Sequence, residues 1–412
     1  MPPMETAEPE PQRAPGAMRA LAYISVAELL ALTLWFSASA VAPQLEDLWG
    51  LSSGQTAGLT IAVQIGFVVG ALGLAMSGIP DRFNSRRIFL VAGLAGVGAN
   101  GALVLLDAGD FGIAFTLRLL TGAALAGVYP SGMKVMAGWF RKGRGMALGI
   151  LVGSLTVGSA GPHLIRGLGF GWEGVVLGAS ALALAGTVLM WFTVRDGPFE
   201  TATSPFSWKQ VAAVARNRGV RLSTYGYLGH MWELYAMWTW TAAFLVASAA
   251  EYGTGDGWVP AATFAIIAIG GVGAWLAGVL ADRKGRTLSA GASMAVSGGC
   301  ALATPLVFGV APVITVALFL VWGFAVVADS AQFSTMVTET ADEVRRGTAL
   351  TLQTAFGFLL TLVTIRGVPV LADAWGWRWV FPLLAVGPAL GIAAMVALKR
   401  SPDAALLADG KG

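Results

Sequence analysis

Long apolar runs recur from one end of the chain to the other, and they constrain its fold more than any other feature. Twelve such runs are separated by short polar stretches, and each has about the 20 residues that a helix needs to cross a bilayer. Charged residues make up 12% of the chain, about half of their share in soluble domains. The pattern predicts an all-α membrane protein with twelve transmembrane helices and no sizeable soluble domain. The predicted spans are 20–42, 55–78, 88–106, 111–137, 145–165, 174–194, 222–248, 259–280, 288–309, 312–337, 348–371 and 378–398.

The distribution of basic residues predicts the orientation of these spans. With the N-terminus on the cytoplasmic side, most of the 26 Lys and Arg residues fall in cytoplasmic segments, as the positive-inside rule requires. We therefore expect a multi-pass protein of the cell inner membrane with both termini in the cytoplasm. Residues 37–40 resemble a signal-peptide cleavage site, but the acidic tail before the first span and Glu28 within it argue against cleavage.

The chain contains an internal repeat. Residues 28–35 (ELLALTLW) match residues 233–240 (ELYAMWTW), and residues 144–148 match residues 346–350 in the same order. Such a repeat predicts two parallel six-helix halves related by an axis along the membrane normal. The predicted organisation is a flexible N-terminal tail (1–18), a first six-helix bundle (19–194), a cytoplasmic linker (195–221), a second six-helix bundle (222–398) and a C-terminal tail (399–412).

Three short motifs indicate a family. The loop after the eighth span reads Gly278-Val-Leu-Ala-Asp-Arg-Lys-Gly-Arg286, and its first-half counterpart keeps an Asp-Arg pair; Arg118-Leu-Leu-Thr-Gly122 lies in the fourth span. These segments resemble the signature motifs of the major facilitator superfamily. The resemblance implies two pseudo-symmetric bundles that transport a solute by alternating access. It also implies charge networks that latch the cytoplasmic face, with Asp81, Arg82, Arg86, Asp282, Arg283 and Arg286 as the candidate latch residues.

Acidic residues within the spans are the first candidates for a transport site. Glu28 and Glu233 lie near mid-membrane at equivalent positions of the repeat. A charge at this depth costs at least about 3 kcal/mol, so such residues face a cavity or a partner and often relay protons. His230 and Tyr227 share a helix face with Glu233, which predicts a titratable group on the seventh helix. The alternative is a set of polar anchors between packed helices.

Other polar and aromatic residues extend this candidate pathway. Asp329 and Gln332 share a face of the tenth helix, and Arg118 lies within the fourth. Arg118 is predicted to attract an anion or to modulate a nearby carboxyl group. Trp35 and Trp240 lie seven residues after Glu28 and Glu233, respectively, so an aromatic box around a carboxylate is predicted, with interface anchoring as the alternative.

The sequence predicts a proton-coupled secondary transporter of a small solute, with a small organic ion as the favoured class. Its predicted partners are the solute, protons and the lipid bilayer, and a monomer is expected to suffice. A drug or metabolite efflux antiporter and a cyanate- or nitrite-like inorganic anion porter remain alternatives, with a non-transporting receptor or enzyme as the remote one. Two histidines and one cysteine argue against a metal site. No cofactor, catalytic residue or nucleic-acid partner is expected, because neither a nucleotide-binding motif nor a long basic stripe occurs.

Overall fold

The architecture is helical throughout the part of the chain that the structure covers. The computed structural model describes residues 13–140, 144–199 and 206–412; the side chains of Asp81, Arg144 and Gly145 lie outside this description. Twelve helical segments follow the twelve predicted spans, so the all-α membrane fold is confirmed. We number them α1 (Ala17–Leu34), α2 (Ser53–Ser77), α3 (Ser85–Leu105), α4 (Phe111–Ala137), α5 (Arg144–Gly167), α6 (Trp172–Thr193), α7 (Arg218–Tyr252), α8 (Val259–Lys284), α9 (Arg286–Val307), α10 (Pro312–Thr340), α11 (Arg346–Trp375) and α12 (Trp377–Lys399).

Helix α7 differs from the other eleven. Those eleven are long and apolar enough to cross a membrane by length and composition, in the described residues. Helix α7 is longer, at 35 residues, but His230, Glu233 and several Trp and Tyr residues make it less apolar. It also begins before the predicted start at residue 222, because the side chain of Asn217 accepts a hydrogen bond from the backbone N–H of Val220 (2.9 Å) and caps the helix there.

Close glycine crossings hold each half together. In the N-half (α1–α6), Gly122 of α4 lies against the backbone carbonyl of Val63 in α2, where a Cβ atom would not fit. In the C-half (α7–α12), Gly323 of α10 lies in the same way against the carbonyl of Ile266 in α8. Small residues let membrane helices approach until their backbones touch. Both halves therefore use the same crossing, as the internal repeat predicts.

The two halves meet along two helix pairs, α2 with α11 and α5 with α8. Near the middle of the second pair, a Cβ atom on Gly153 would lie 3.3 Å from the carbonyl oxygen of Gly271. At the outer end of the first pair, Gly54 lies against the guanidinium group of Arg366. In the α5–α8 pair, backbone therefore faces backbone at several glycines of α5, and Gly153 is the one near the middle.

Chain segments that follow α6 and α12 pack against the α2–α3 and α8–α9 loops of their own halves. The side chain of Asn84 donates to Asp196 at 2.6 Å, which holds the segment after α6 on the α2–α3 loop. After α12, Lys411 donates to the carbonyl of Asp282 at 2.6 Å, and the backbone N–H of Thr287 donates to Gly412 at 3.3 Å. The residues predicted as a C-terminal tail are thus packed on the α8–α9 loop.

Candidate functional site between the two halves

Glu28 lies in the middle of α1 with its carboxyl group enclosed by protein. It has no exposed surface, and neither carboxyl oxygen has a hydrogen-bond partner among the described residues. The carboxyl group lies against Gly132 of α4, where any side chain would collide with it. Tyr129, one turn earlier on α4, is within electrostatic range of Glu28 and of Tyr227. Glu28 is therefore an acid without a cation, next to the interface between the halves.

Glycines on the neighbouring helices bring α1 to this position. Gly158 of α5 lies against the backbone of Leu29, and Gly186 of α6 lies against the carbonyl of Ala27. With Gly132 of α4, three helices present glycine to one short stretch of α1. No larger residue would allow so close an approach, so this packing is what keeps Glu28 away from lipid and water.

Glu233 holds the equivalent place in α7 but has different surroundings. One carboxyl oxygen accepts a hydrogen bond from Ser297 of α9 at 2.8 Å, and the other accepts one from the indole N–H of Trp322 in α10 at 2.7 Å. Both hydrogen bonds hold the carboxyl group of Glu233 in this position. The repeat thus places one acid in each half, but only Glu28 lacks donors.

His230 pairs with Asp329 of α10 rather than with Glu233. The Nδ1 atom of His230 lies 2.8 Å from Oδ1 of Asp329, and both side chains are buried. Asp329 sits where α10 is interrupted between Ala328 and Ser330. This imidazole–carboxylate contact links two helices, whereas His230 and Glu233, which share a face of α7, have separate partners. Tyr227, whose ring centre is 6.1 Å from that of His230, lies beside this pair.

Arg118 is fully buried and its guanidinium group binds neutral groups. It donates to the carbonyl oxygens of Leu34 (3.1 Å) and Trp35 (2.6 Å), where α1 ends. It also donates to Ser37 at 3.0 Å and to the side-chain oxygen of Asn100 at 2.7 Å. The prediction that Arg118 acts on an anion or a carboxyl group is untested. In this geometry, Arg118 instead holds the carboxyl-terminal end of α1, which carries partial negative charge.

Aromatic side chains from both halves meet in the interior. The ring centre of Trp35 lies 5.0 Å from that of Phe67, 5.9 Å from that of Tyr235 and 5.7 Å from that of Phe358. Such separations are typical of favourable aromatic pairs. We call the following six residues the central aromatic cluster: Trp35, Phe36 and Phe67 of the N-half with Tyr235, Trp238 and Phe358 of the C-half.

Several polar atoms in and next to this cluster are buried without a hydrogen bond. They are the indole N–H groups of Trp35 and Trp238 and both amide atoms of Gln64 on α2, among the described residues. A buried donor or acceptor left unpaired costs about 1–3 kcal/mol. Such groups are rare in folded proteins and call for an explanation. Four of the unpaired atoms among the described residues lie in or next to this cluster, and others lie elsewhere, for example on His163 and Thr263.

Comparison with known proteins identifies the family. A family model described as the Major Facilitator Superfamily matches residues 24–365 of the chain. The chain belongs to the Major Facilitator Superfamily. This membership confirms the prediction of a membrane transporter rather than an enzyme.

Two transporters and one solved structure are similar to this superfamily member. A gallate transporter of Pseudomonas putida is 27% identical over 187 residues, covering 44% of this chain and 41% of the relative. A gentisate transporter of Corynebacterium glutamicum is 27% identical over 187 residues, covering 41% of this chain and 39% of the relative. The matches thus span about two-fifths of the curated relatives. A bacterial homologue of the human lysosomal transporter Spinster, solved inward-facing and unoccupied, has a TM-score of 0.67 at 15% identity and covers 93% of this chain and 94% of its own.

The superfamily's signature loop forms a charge network at the inner end of the C-half. Arg286 binds Glu339 of α10 at 2.8 Å, Asp282 at 3.3 Å and Gln332 at 3.2 Å. Gln332 was predicted in the solute pathway, but it contacts this network instead of the central aromatic cluster. Arg283 is exposed at the surface. Among the described residues, all partners of Arg286 in this network belong to the C-half.

The first-half loop is arranged differently. Arg86 lies 3.8 Å from Asp196 and donates to the carbonyl oxygen of Trp191 at 2.9 Å. Arg82 is exposed, and the side chain of Asp81 lies outside the described residues. The proposal of a latch across the cytoplasmic face therefore stays a prediction for both superfamily loops.

Two members of the interior were not predicted as site residues, and one predicted member lies apart. Tyr129 and Gln64 were missed because neither is charged and neither lies in a family motif. Their only signal in the sequence is a polar group within an apolar run. Trp240 donates to the carbonyl of Ile365 at 3.0 Å and packs on Trp377. It therefore anchors α7 at the outer end and does not form a box around Glu233.

Proposed function

We propose that this protein is a secondary transporter that carries a small organic ion across the inner membrane by alternating access, driven by a proton gradient. The observation that carries the proposal is a buried carboxyl group without a hydrogen-bond partner among the described residues, Glu28, in an interior where aromatic rings of both halves meet. Membrane proteins keep such acids for moving protons or solutes. One copy of the chain contains the whole interior, so a monomer suffices.

The solute class that fits the interior best is an aromatic acid with ring hydroxyl groups. Trp35 and Phe67 can pack on one face of a planar ring, and Tyr235 and Phe358 on the other, once the halves separate. The similar transporters named above carry gallate and gentisate, both hydroxylated aromatic acids. We propose the same class for this protein.

Glu28 is the proposed proton carrier. An ionised carboxylate here would have no cation and no donor to compensate its burial. It would also repel an anionic solute nearby. A protonated Glu28 would not, so binding of the anion and of the proton favour each other. Moving one monoanion with one proton transfers no net charge across the membrane.

His230 and Asp329 are proposed as a second polar link in the interior. Their contact joins α7 to the interruption of α10. A change in this contact therefore alters a link between two helices of the C-half.

Inorganic anion transport is less well supported. A small anion such as nitrite requires a cationic side chain with free donors in the interior. Arg118 donates three of its four hydrogen bonds to α1 and its extension and the fourth to Asn100, which leaves only its Nε atom without an acceptor among the described residues. An efflux antiporter would use the same groups with the opposite gradient, and the experiment below distinguishes it from a symporter.

The test is flux through the purified protein in proteoliposomes. We expect labelled gentisate or gallate to accumulate when the outside is acidic, and the accumulation to disappear with a protonophore. Loss of preloaded gentisate driven by an acidic outside would instead indicate antiport. Labelled tetraethylammonium serves as a cationic test solute in the same assay. Transport of the cation without transport of either acid would contradict the proposed solute class.

A further inference from the structure

We propose that Gln64 determines solute specificity by hydrogen bonding a polar substituent on the ring of the transported solute, together with the indole N–H of Trp35. This inference rests on the proposed function. It concerns the side-chain amide of Gln64 and the indole N–H of Trp35, which are buried and have no hydrogen-bond partner among the described residues.

Gln64 lies on the face of α2 that points to the interior. Thr60, one turn before it, contacts the hydroxyl of Ser39 at 2.6 Å. Phe67, nearly one turn after it, packs on Trp35 at 5.0 Å and on Phe358 of the other half at 4.6 Å. Residues three and four apart on a helix share a face. Gln64 therefore lies between two contacts that α2 makes toward α1 and α11.

The fold itself does not require an amide at this place. The carbonyl of Val63 lies against Gly122, and in the second half the carbonyl of Ile266 lies against Gly323. The next residue is Gln64 in the first half but Ile267 in the second, where it is fully buried. An apolar side chain thus fills the equivalent position without penalty, while Gln64 carries an amide that no described residue satisfies.

The indole of Trp35 gives a parallel contrast. Trp240, its counterpart in the repeat, donates its N–H to the carbonyl of Ile365, while the N–H of Trp35 has no acceptor among the described residues. The ring of Trp35 packs in the central aromatic cluster, so its free donor lies at the edge of the place proposed for the solute ring. Two unpaired polar groups from α1 and α2 thus border one aromatic surface.

These groups match a ring that bears hydroxyl or carboxylate oxygens. An amide offers two donors and one acceptor, and an indole offers one donor. A ring hydroxyl can donate to the amide oxygen and accept from the indole. A site built to pair such a substituent rejects a ring without it, because the buried groups then stay unpaired. The side chains are enclosed in this conformation, so the pairing requires the halves to separate and readmit the solute.

The test compares gentisate with benzoate, which lacks the ring hydroxyls. In proteoliposomes, we expect Gln64→Leu to lower kcat/KM for gentisate relative to benzoate by about tenfold, which corresponds to one lost hydrogen bond. Gln353→Leu is the matched control: Gln353 is also a buried glutamine with an unpaired amide oxygen, but its amide nitrogen donates to the carbonyl of Phe333 at 3.5 Å and it lies on α11 rather than beside Trp35. Its ratio of the two solutes should match that of the unchanged protein.

The outcomes distinguish a failure of the proposed function from a failure of the role proposed for Gln64. If the unchanged protein transports neither acid, the proposed function and this inference both fail. If it transports gentisate and Gln64→Leu leaves the ratio unchanged, or lowers both solutes equally, only the role of Gln64 is wrong. Gln64→Met is a second variant without the amide, for use if Gln64→Leu does not fold. Quenching of tryptophan fluorescence by gentisate in detergent gives a Kd that does not depend on a flux measurement.

Discussion

The two intramembrane glutamates show how one residue type acquires two roles at equivalent places. Glu233 accepts hydrogen bonds from Ser297 and Trp322, which hold its carboxyl group in place. Glu28 lies against Gly132 with no donor among the described residues. Donors stabilise an ionised carboxylate, and their absence disfavours it. Of the two, Glu28 is therefore the acid expected to gain and lose a proton during transport.

Replacement of Glu28 tests this distinction. We expect Glu28→Gln to abolish proton-driven accumulation of gentisate while exchange of gentisate across the membrane continues, because the amide cannot release a proton. Glu173→Gln, an exposed glutamate in the first turn of α6, is the control and should keep full accumulation. Retention of proton-driven accumulation in Glu28→Gln would rule out the role of Glu28.

Arg118 leads to a prediction about stability. Arg118→Ala would leave the carbonyl groups of Leu34 and Trp35 and the side chain of Asn100 without their shared donor. Each such loss costs about 1–3 kcal/mol, so the melting temperature in detergent should fall clearly. Arg87→Ala, which removes an exposed arginine at the start of α3, should change it little. Equal melting temperatures for the two variants would contradict a structural role for Arg118.

At the scale of the helices, the interruptions are the least predictable feature. Helix α1 continues as a short 3-10 turn, Leu32–Leu34, and α10 is interrupted at Asp329. Neither place contains Pro or Gly, the residues that usually mark a helix end. Both are held by distant groups, namely Arg118 for α1 and His230 for α10. A local reading of the chain therefore predicts one continuous span in each case.

Glycine crossings give a prediction at the same scale. Gly122→Ala would push the new methyl group into the carbonyl of Val63, so α2 and α4 must separate. Such overpacking costs about 1–3 kcal/mol, and thermal unfolding should occur at a lower temperature. Gly98→Ala on α3 meets nothing within 4 Å and should be neutral or slightly stabilising, because alanine favours helix. The crossing would be unimportant if both variants unfolded alike.

The sequence predicted the spans, the repeat and the family because each depends on local patterns: apolar length, matching segments and loop motifs. The site was predicted in part. Glu28, Glu233 and Asp329 stand out as acids in apolar runs, but the pairing of His230 with Asp329 joins residues far apart in the chain. Periodicity shows which residues share a helix face and not which helix lies opposite. For the same reason, Gln64 and its missing partner became visible only in three dimensions.

At the scale of the whole molecule, each half is a unit with its own internal contacts. The α2–α4 and α8–α10 crossings join helices within a half, and the segments after α6 and α12 hold the α2–α3 and α8–α9 loops of their own halves. Contacts between the halves lie mainly along α2 with α11, along α5 with α8 and in the central aromatic cluster, with a smaller set between α5 and the second part of α10. Movement is thus easier between the halves than within them.

The close approach of Gly153 and Gly271 has a geometric consequence for such movement. It lies near the middle of both helices, where a Cβ atom on Gly153 would lie 3.3 Å from the carbonyl oxygen of Gly271. A hinge point at mid-depth means that the outer ends separate when the inner ends close. Spin-label pairs should therefore change their distances in opposite senses when gentisate is added. Suitable exposed positions are Gly109 with Gly255 outside and Phe83 with Lys284 inside, after Cys300→Ser. If the distances at both faces shortened together, Gly153 and Gly271 would not be the hinge point.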